Sequence, residues 1–301
     1  MTLKLENKKG PAVVIDAKYK SLFIFPGVGI SVILFGVSAY AALLGGIEAT
    51  AWLGAAIASM PLPLIATYLM FGGVERTSDN FLLMLLIGAA GVMVACWEQF
   101  IEGNTGWSPT SVALASALIL LLYVFWYSHF GRFDSALLTV GNKLPAFSLK
   151  DSNGDQFDSS SLEGSPAVLM FYRGNWCPLC MAQIKEIAER YQELDAMGIQ
   201  TVLISPQPDQ LSHKLAAQYE VPFRFLVDEG NAVAEALGIA IKNGVPIGIP
   251  GGYAPDTVLP TLLVCNAKGT IIFSDQTDNY RVRPEPDIFL AILRRSGVMP
   301  K

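Results

Sequence analysis

Four long intervals without a charged residue dominate the first half of the chain. They run between Lys20 and Glu48, between Glu48 and Glu75, between Asp79 and Glu98, and between Glu102 and Arg132. A helix that crosses the hydrocarbon core of a bilayer needs roughly 20 consecutive apolar residues. Each interval is long enough, so the sequence predicts four membrane-spanning helices, at residues 22–44, 50–72, 80–98 and 110–130.

The composition agrees with a membrane protein, because only 16% of the residues are charged and 52% are hydrophobic. The interiors of the four predicted spans contain no Asp, Glu, Lys or Arg, which ion pumps and carriers of charged substrates usually need. We therefore expect the helices to anchor and position the rest of the chain. Pro61 and Pro63 predict a kink or a break in the second span. The small residues at 88–91 are typical of helix–helix packing.

The basic residues near the spans predict the orientation of the chain. They lie in the N-terminal tail, in the loop after the second span and after the fourth span: Lys4, Lys8, Lys9, Lys18, Lys20, Arg76 and Arg132. The other two loops hold Glu48, Glu98 and Glu102 and no basic residue. Because Lys and Arg accumulate on the cytoplasmic side, we expect an integral protein of the inner or plasma membrane with both termini in the cytoplasm. Residues 1–21 would then be a cytoplasmic tail and residues 22–131 the four-helix region.

From about residue 140 the sequence becomes that of an ordinary globular domain. Short β-type segments alternate with helical patterns, which predicts an α/β sandwich over residues 138–298. Asn153-Gly154 indicates a tight hairpin, and a helix is expected from Pro178 to about Ala196. The fold class predicted for the whole chain is thus an α-helical membrane bundle of four spans followed by an α/β domain.

Two cysteines lie where a predicted strand gives way to a predicted helix. The apolar run at 167–172 is followed by a short turn and then by Cys177-Pro178-Leu179-Cys180. Pro178 suits the first position of a helix, where its missing N–H is not needed. The free amides and the positive end of the helix dipole at that place stabilise a thiolate, which is the reactive form of cysteine. This spacing and context predict a redox pair.

A structural zinc site and an inert buried pair are the two alternatives for these cysteines. Such a site needs four ligands, and the rest of the chain offers only Cys96, Cys265, His129 and His213. Cys96 and His129 fall in or beside predicted spans, Cys265 is expected in the core of a strand, and His213 is expected to face solvent. We therefore expect no metal and no other cofactor.

Three motifs of the second half resemble the peroxiredoxin-like proteins of the alkyl hydroperoxide reductase/thiol-specific antioxidant group, which have the thioredoxin fold. They are the opening strand and hairpin at 140–154, the turn and cysteine pair at 172–180, and the strand entry at 259–264. The resemblance covers residues 138–298. It implies that Pro260 and Thr261 lie against the cysteines, with a cis peptide bond before Pro260.

The resemblance leaves the attacking cysteine open between two templates. On the peroxiredoxin template Cys180 takes the peroxidatic position, Cys177 replaces a threonine and Arg173 replaces a proline, and the arginine that this family carries near Pro260 is missing from the sequence. On the thioredoxin template Trp176-Cys177-Pro178 makes Cys177 the attacking thiol and Cys180 the resolving one. We favour the peroxiredoxin assignment. Arg173 is either a group that activates the thiol or binds peroxide, or a surface residue beside a turn.

The resemblance implies an oxidoreductase, and we expect a membrane-anchored thiol peroxidase that reduces hydroperoxides through Cys177 and Cys180. The alternatives are a thioredoxin-like disulfide reductase and a non-catalytic redox sensor. The expected partners are a hydroperoxide or disulfide substrate, an external thiol reductant of the thioredoxin or glutathione type, and membrane lipid, but no nucleic acid. The Gly- and Pro-rich stretch at 244–260 is either a functional loop or a surface insertion.

Overall fold

The computed structural model describes residues 15–102, 107–219 and 221–297. The predicted tail up to residue 14, with Lys4, Lys8 and Lys9, lies outside the described residues. Within them the chain forms two compact units. A helical unit contains residues 22–129, and an α/β unit contains residues 15–21 together with residues 130–297.

The helical unit has four helical segments that are long and apolar enough to cross a membrane, judged by length and composition. The α-helices are α1 (Lys18–Leu44), α2 (Ala49–Ser59), α3 (Pro61–Phe71), α4 (Leu82–Trp97) and α5 (Trp107–Leu121). The second segment is broken between α2 and α3 at Met60, directly before Pro61, as the two prolines predict. The π-helical turns Glu98–Glu102 and Leu122–Tyr127 extend α4 and α5.

Helices α2 and α4 pack closely through small residues. A Cβ atom on Gly91 would lie 2.3 Å from the backbone N of Ala58, and one on Gly54 would lie 2.6 Å from the backbone N of Ala95. The prediction of helix packing is confirmed for Gly88 and Gly91, which are buried, whereas Ala89 and Ala90 on the other side of α4 are exposed.

The α/β unit is built on a seven-stranded sheet with the order β10-β9-β4-β5-β6-β2-β3. Strands β4, β5 and β6 are parallel, β9 runs antiparallel to β4, and β10 forms a hairpin with β9. The strands are β2 (Ser148–Asp151), β3 (Gln156–Asp158), β4 (Ala167–Phe171), β5 (Gln200–Ser205), β6 (Arg224–Val227), β9 (Thr261–Cys265) and β10 (Ile271–Asp275). The crossover from β4 to β5 through the helix Pro178–Glu189, followed by the β9–β10 hairpin, is the core of the thioredoxin fold, as predicted.

The helices of the α/β unit are α6 (Pro178–Glu189), α7 (Tyr191–Ala196), α8 (Asp209–Gln218), α9 (Ala232–Leu237) and α10 (Pro286–Arg295). The single helix expected from Pro178 to about Ala196 is therefore divided, because the backbone at Arg190 leaves helical dihedral angles. The hairpin at Asn153-Gly154 is confirmed: β2 and β3 pair, and the Asp151 carboxylate accepts the N–H groups of Asn153 and Asp155.

A second, three-stranded sheet consists of β1 (Ile15–Asp16), β7 (Ala240–Lys242) and β8 (Thr257–Val258). Strand β1 pairs in parallel with β7, and Ala17 after it is buried. Residues 15–21 of the predicted tail are thus part of the α/β fold. In parallel sheets, sites form at the carboxyl ends of the strands. Strands β4 and β5 are parallel and end at the same edge of the sheet. The cysteine pair follows β4 at this edge.

Candidate active site

The active-site loop, residues 172–177, connects β4 to α6. The last residue of β4, Phe171, pairs with Ile204 of β5 on one side and with Thr261 of β9 on the other. Gly174 has a φ of +137°, which L side chains rarely adopt, and a Cβ atom there would lie 3.0 Å from atoms of Trp176 and Tyr253. Glycine is required at this point of the loop for both reasons.

The two cysteines lie at the start of α6. Cys177 is the residue just before the helix, Pro178 occupies its first position, and Cys180 is in its first turn. Both are free thiols, and both are buried, with 2% of Cys177 and none of Cys180 exposed. The local sequence signals therefore place the pair at the helix N-terminus, where amide groups stabilise an anion.

The surroundings of the two sulfurs move their pKa values in opposite directions. A hydrogen bond from the Cys180 side chain is the main cause that lowers the pKa of Cys177 to about 6, and the charges of Arg173 and Arg283 lower it further, against the effect of burial. Burial is the main cause that raises the pKa of Cys180, and its role as the donor to Cys177 adds to that. In the reduced pair these surroundings favour the negative charge on Cys177 over Cys180.

Arg173 lies inside the site, not on the surface. It is buried, its guanidinium carbon lies 4.4 Å from the ring centroid of Trp176 and 5.6 Å from that of Phe130, and its Nη2 donates to the carbonyl of Gly244 at 2.5 Å. Stacking against aromatic faces holds a guanidinium in a fixed plane. Of the two readings of Arg173, the structure supports an active-site group over a surface residue.

Arg283 was missed by the sequence reasoning. Its Nη2 lies 4.0 Å from Cys180 Sγ, and its Nε donates to the carbonyl of Tyr280 at 3.0 Å. Arg283 is buried and lies 103 residues beyond Cys180 in the chain. No local pattern connects the two residues, so the only signal available in advance was that a buried thiolate needs a cation.

Arg132 corrects the expectation that no arginine lies near Pro260. Its Nη1 donates to the Pro260 carbonyl at 2.9 Å and its Nη2 to Thr261 Oγ1 at 3.1 Å. Burial is the main cause that lowers the pKa of Arg132 to about 10, and the neighbouring charge of Arg283 lowers it further. The sequence has no arginine beside Pro260, but the fold brings one there from a segment 128 residues away.

The predicted cis peptide bond before Pro260 is wrong. The peptide bonds of the described residues are all trans. The bond lies between β8 and β9, and the residue before a proline favours an extended backbone, so no tight turn forces the minority cis state. Pro260 and Thr261 still lie at the edge of the site. Thr261 pairs with Phe171, the last residue of β4. Thr257, three residues before Pro260, donates its hydroxyl to the Arg173 carbonyl at 3.0 Å.

A buried amide and phenol hold the other side of the active-site loop. Gln207 Oε1 accepts the N–H of Asn175 at 2.9 Å, and Gln207 Nε2 donates to the Tyr172 hydroxyl at 3.1 Å. Burial raises the pKa of Tyr172 well above its usual value, so the hydroxyl stays protonated. Gln207 follows β5 and was not singled out by the sequence, because an isolated Gln carries no chemical pattern.

The remaining candidates lie away from the pair. Cys265 is buried on β9, as expected, and burial raises its pKa to about 12. Cys96 is half-buried in α4, and His213 is exposed on α8, as expected. Among the described residues no group of three or more His, Cys, Asp and Glu side chains is arranged to hold a metal ion.

The cysteine pair lies within the part of the chain that matches a known protein family. Residues 140–274 match the model of the AhpC/TSA family. Similar proteins include the chloroplastic peroxiredoxin Q of Sedum lineare, 33% identical over 104 residues, which are 35% of this chain and 56% of that protein. The chloroplastic peroxiredoxin Q of Triticum aestivum is 36% identical over 103 residues, which are 34% of this chain and 47% of that protein.

The chain thus spans about half the length of the curated relatives it matches. A solved structure, the peroxidoxin BcpB from Mycobacterium tuberculosis, is similar at 23% identity and a TM-score of 0.43, over 52% of this chain and 97% of that one. The family match over residues 140–274 supports a peroxiredoxin-like domain of the AhpC/TSA type within the α/β unit. Arg132 and Arg283 both lie outside the matched residues.

Proposed function

We propose that this protein is a membrane-anchored thiol peroxidase that reduces hydroperoxides with Cys177 and Cys180. The observation that carries the proposal is the buried thiolate–thiol pair at the N-terminus of α6, next to Arg173 and Arg283. The likeness of residues 140–274 to AhpC/TSA proteins supports the same reaction class.

The arrangement suits a two-step reaction. Although the peroxiredoxin template favours Cys180, we assign the attack to Cys177, whose pKa is lowered. The Cys177 thiolate attacks one peroxide oxygen and the O–O bond breaks, so that Cys177 becomes a sulfenic acid. The leaving oxygen takes a proton from solvent and departs as an alcohol or water. The Cys180 sulfur, after losing its proton, attacks the Cys177 sulfur, releases water and closes a disulfide. An external thiol reductant, either a dithiol of the thioredoxin type or two molecules of a glutathione-type monothiol, supplies the two electrons and the protons that reopen the disulfide.

The arginines have distinct parts in this proposal. Arg173 and Arg283 stabilise the attacking thiolate, because opposite charge at close range favours the ionised form. Arg283 lies 4.0 Å from Cys180 Sγ, and from there it stabilises the oxygen that leaves the peroxide. Arg132 fixes the strand entry at Pro260 and Thr261.

A disulfide reductase is the second candidate. Cys177 precedes α6 directly, as the attacking thiol does on the thioredoxin template, and its lowered pKa agrees with that role. The burial of both sulfurs favours the peroxidase, because a hydroperoxide can reach a sulfur that a disulfide on the surface of another protein cannot.

The two functions are separated by assays run side by side on the full chain in detergent. We expect consumption of hydrogen peroxide, supported by a thioredoxin-type reductant, to be fast, and reduction of a protein disulfide such as that of insulin to be slow. The double variant Cys177→Ser/Cys180→Ser is the control. Fast insulin reduction without peroxide consumption would favour the reductase instead.

Membrane anchoring is the other part of the proposal. The four apolar helical segments expose large hydrophobic side chains, among them Leu43 and Phe71, with 86% and 83% exposed. Lipid is the environment in which such a surface is stable. The basic residues support a cytoplasmic location of both termini and of the redox domain.

Reporter fusions test this topology. Fusions after Lys20, in the loop near Arg76 and at Lys301 should all report the cytoplasm, because the basic residues cluster at those positions. An external signal at Lys301 alone would mean an odd number of spans.

A further inference from the structure

The Gly- and Pro-rich segment at 244–256, here called the cover loop, lies against the active-site loop. Its two ends are joined by a hydrogen bond from the N–H of Val245 to the carbonyl of Pro255 at 3.0 Å. Its first residue, Gly244, accepts the hydrogen bond from Arg173. The segment that the sequence leaves open between a functional loop and a surface insertion is therefore in contact with the catalytic machinery.

Tyr253 makes the closest contact between the cover loop and the active-site loop. Its hydroxyl accepts a hydrogen bond from the backbone N–H of Trp176, and the Asn175 N–H, which donates to Gln207 Oε1, lies beside it. Its ring lies so near Gly174 that a Cβ atom there would approach it to 3.0 Å. Tyr253 thus holds the three residues that immediately precede Cys177.

Two buried donors beneath this contact have no partner among the described residues. They are Arg173 Nε and Trp176 Nε1. Arg173 is only 6% exposed, so an unpaired donor on it carries a desolvation cost that a ligand oxygen would remove. These two donors, on side chains that stack on one another, are therefore suited to an oxygen atom of a small reactant.

We propose that the cover loop is a size filter and that Tyr253 is a specificity-determining residue, which admits hydroperoxides to Cys177 and keeps protein disulfides out. The inference deepens the proposed peroxidase function and rests on it. The cysteine pair of this fold can attack either an O–O bond or an S–S bond. A size filter explains why the pair is buried in this protein. Protein-sized reactants reach Cys177 only when the Tyr253 contact opens.

The test compares a small and a large reactant on the full chain in detergent, with the cysteines reduced beforehand. Single-turnover rates are measured with hydrogen peroxide and with insulin, whose disulfide takes two electrons from the Cys177–Cys180 pair. Tyr253→Ala should raise the insulin rate about tenfold, the change expected when roughly one net hydrogen bond that closes the loop is lost. The hydrogen peroxide rate should change by less than about twofold, since that reactant already passes the loop.

Two further variants make the test decisive. Tyr253→Phe keeps the ring and removes the hydroxyl, so the insulin rate should rise by a smaller factor than in Tyr253→Ala. Ile247→Ala changes an exposed side chain of the same cover loop and should leave both rates as they are. An unchanged insulin rate in both Tyr253 variants would overturn the proposal, and so would an equal change in both rates, because Tyr253 would then act on the thiolate itself.

Labelling of Cys177 separates this proposal from the proposed function. Reaction of Cys177 with a small maleimide and with a maleimide on a poly(ethylene glycol) chain, read by peptide mapping, requires no peroxidase activity. In Tyr253→Ala the rate of Cys177 labelling by the large reagent should increase relative to the rate with the small one. Suppose that the protein without substitutions consumes no peroxide, while Tyr253→Ala still increases labelling by the large reagent relative to the small one. The peroxidase proposal then fails and the size filter remains. If the ratio of the two labelling rates is unchanged, the size filter fails.

Discussion

The two units bury their residues in opposite ways. In the helical unit the closest contacts are made by small residues of α2 and α4, while many large apolar side chains are exposed. In the α/β unit large apolar side chains fill the core, and arginines and thiols are buried beside them. A buried charge is costly unless it is paired, so each buried arginine must serve a specific arrangement.

This difference shows where chemistry can take place. Several hydroxyl groups in the helical unit bond to backbone carbonyls, Ser59 Oγ to Ala55 and Ser31 Oγ to Gly27 of their own helices, and Thr110 Oγ1 to Ala95 of α4. Such bonds satisfy a polar group without creating a site. In the α/β unit, Arg173 and Arg283 instead direct positive charge at Cys177. We therefore expect that removing a charge or a sulfur atom changes the reactivity of the α/β unit. Adding side-chain volume should instead lower the stability of the helical unit.

The largest effect is expected from the cysteines. Cys177→Ser should lower the rate of hydrogen peroxide consumption by at least about 1,000-fold, because it removes the attacking thiolate. Cys180→Ser should abolish turnover but still react once and accumulate a sulfenic acid at Cys177, which a dimedone-type reagent traps. Mass spectrometry of the trapped peptide measures this.

The matched control is Cys96→Ser in the helical unit, which should retain full activity. A sulfenic acid found at Cys180 in Cys177→Ser, and none at Cys177 in Cys180→Ser, would restore the assignment of the peroxiredoxin template. Full activity in both single variants would contradict the enzyme proposal and remove the chemical contrast between the units.

The next effect concerns Arg283. Arg283→Met keeps the side-chain volume and removes the charge, so the pKa of Cys177 should rise and peroxide consumption at neutral pH should fall about 100-fold. Arg295→Met, at the exposed end of α10, is the control. If Arg283 acts only on the pKa, the activity should recover at alkaline pH; a deficit that persists there indicates that Arg283 also stabilises the leaving oxygen.

The sequence was sufficient where the physical signal is local. The charge-free intervals identify the four apolar helical segments, because each helix satisfies its own backbone. Asn153-Gly154 identifies the β2–β3 hairpin, and Pro178 places the cysteines at the start of α6. In each case neighbouring residues determine the conformation that they adopt.

The sequence was insufficient where the site depends on tertiary contacts. Arg132, Arg283 and Tyr253 reach the site from distant segments. Arg132 contacts the strand entry at Pro260, Arg283 lies near Cys180, and Tyr253 contacts the active-site loop. Their residue types are common, so no spacing identifies them in advance. The cis bond before Pro260 was carried over from a resemblance, and the extended connection between β8 and β9 removes the need for it.

The pH dependence of Cys177 sharpens the electrostatic side of the comparison. With a pKa lowered to about 6, Cys177 should stay a thiolate at neutral pH, and its alkylation by iodoacetamide should fall about tenfold per pH unit below that value. The folded state holds fewer protons than the unfolded state between the two pKa values. The free energy of unfolding should therefore rise with pH from about 6 to about 8.5, the usual pKa of a cysteine, and this contribution should be lost as the pH falls through about 6.

Peptide mapping confines the measurement to Cys177, and Cys265, whose pKa burial raises, is the internal reference. A midpoint near that of an ordinary thiol would show that the arginines do not act on Cys177 and would weaken the contrast between the units.

The smallest effect on catalysis is expected from the helical unit. Gly91→Ala adds one methyl group where a Cβ atom would lie 2.3 Å from the backbone N of Ala58, so α2 and α4 must move apart. Overpacking of this kind costs about 1–3 kcal/mol in the free energy of unfolding. The matched control is Gly36→Ala in α1, where no atom lies within 4 Å of the added group. Thermal unfolding in detergent should show a lower midpoint for Gly91→Ala than for Gly36→Ala, while the alkylation rate of Cys177 stays the same in both. A change in that rate with Gly91→Ala would show that helix packing and thiol chemistry are coupled, and the separation of roles between the two units would then have to be given up.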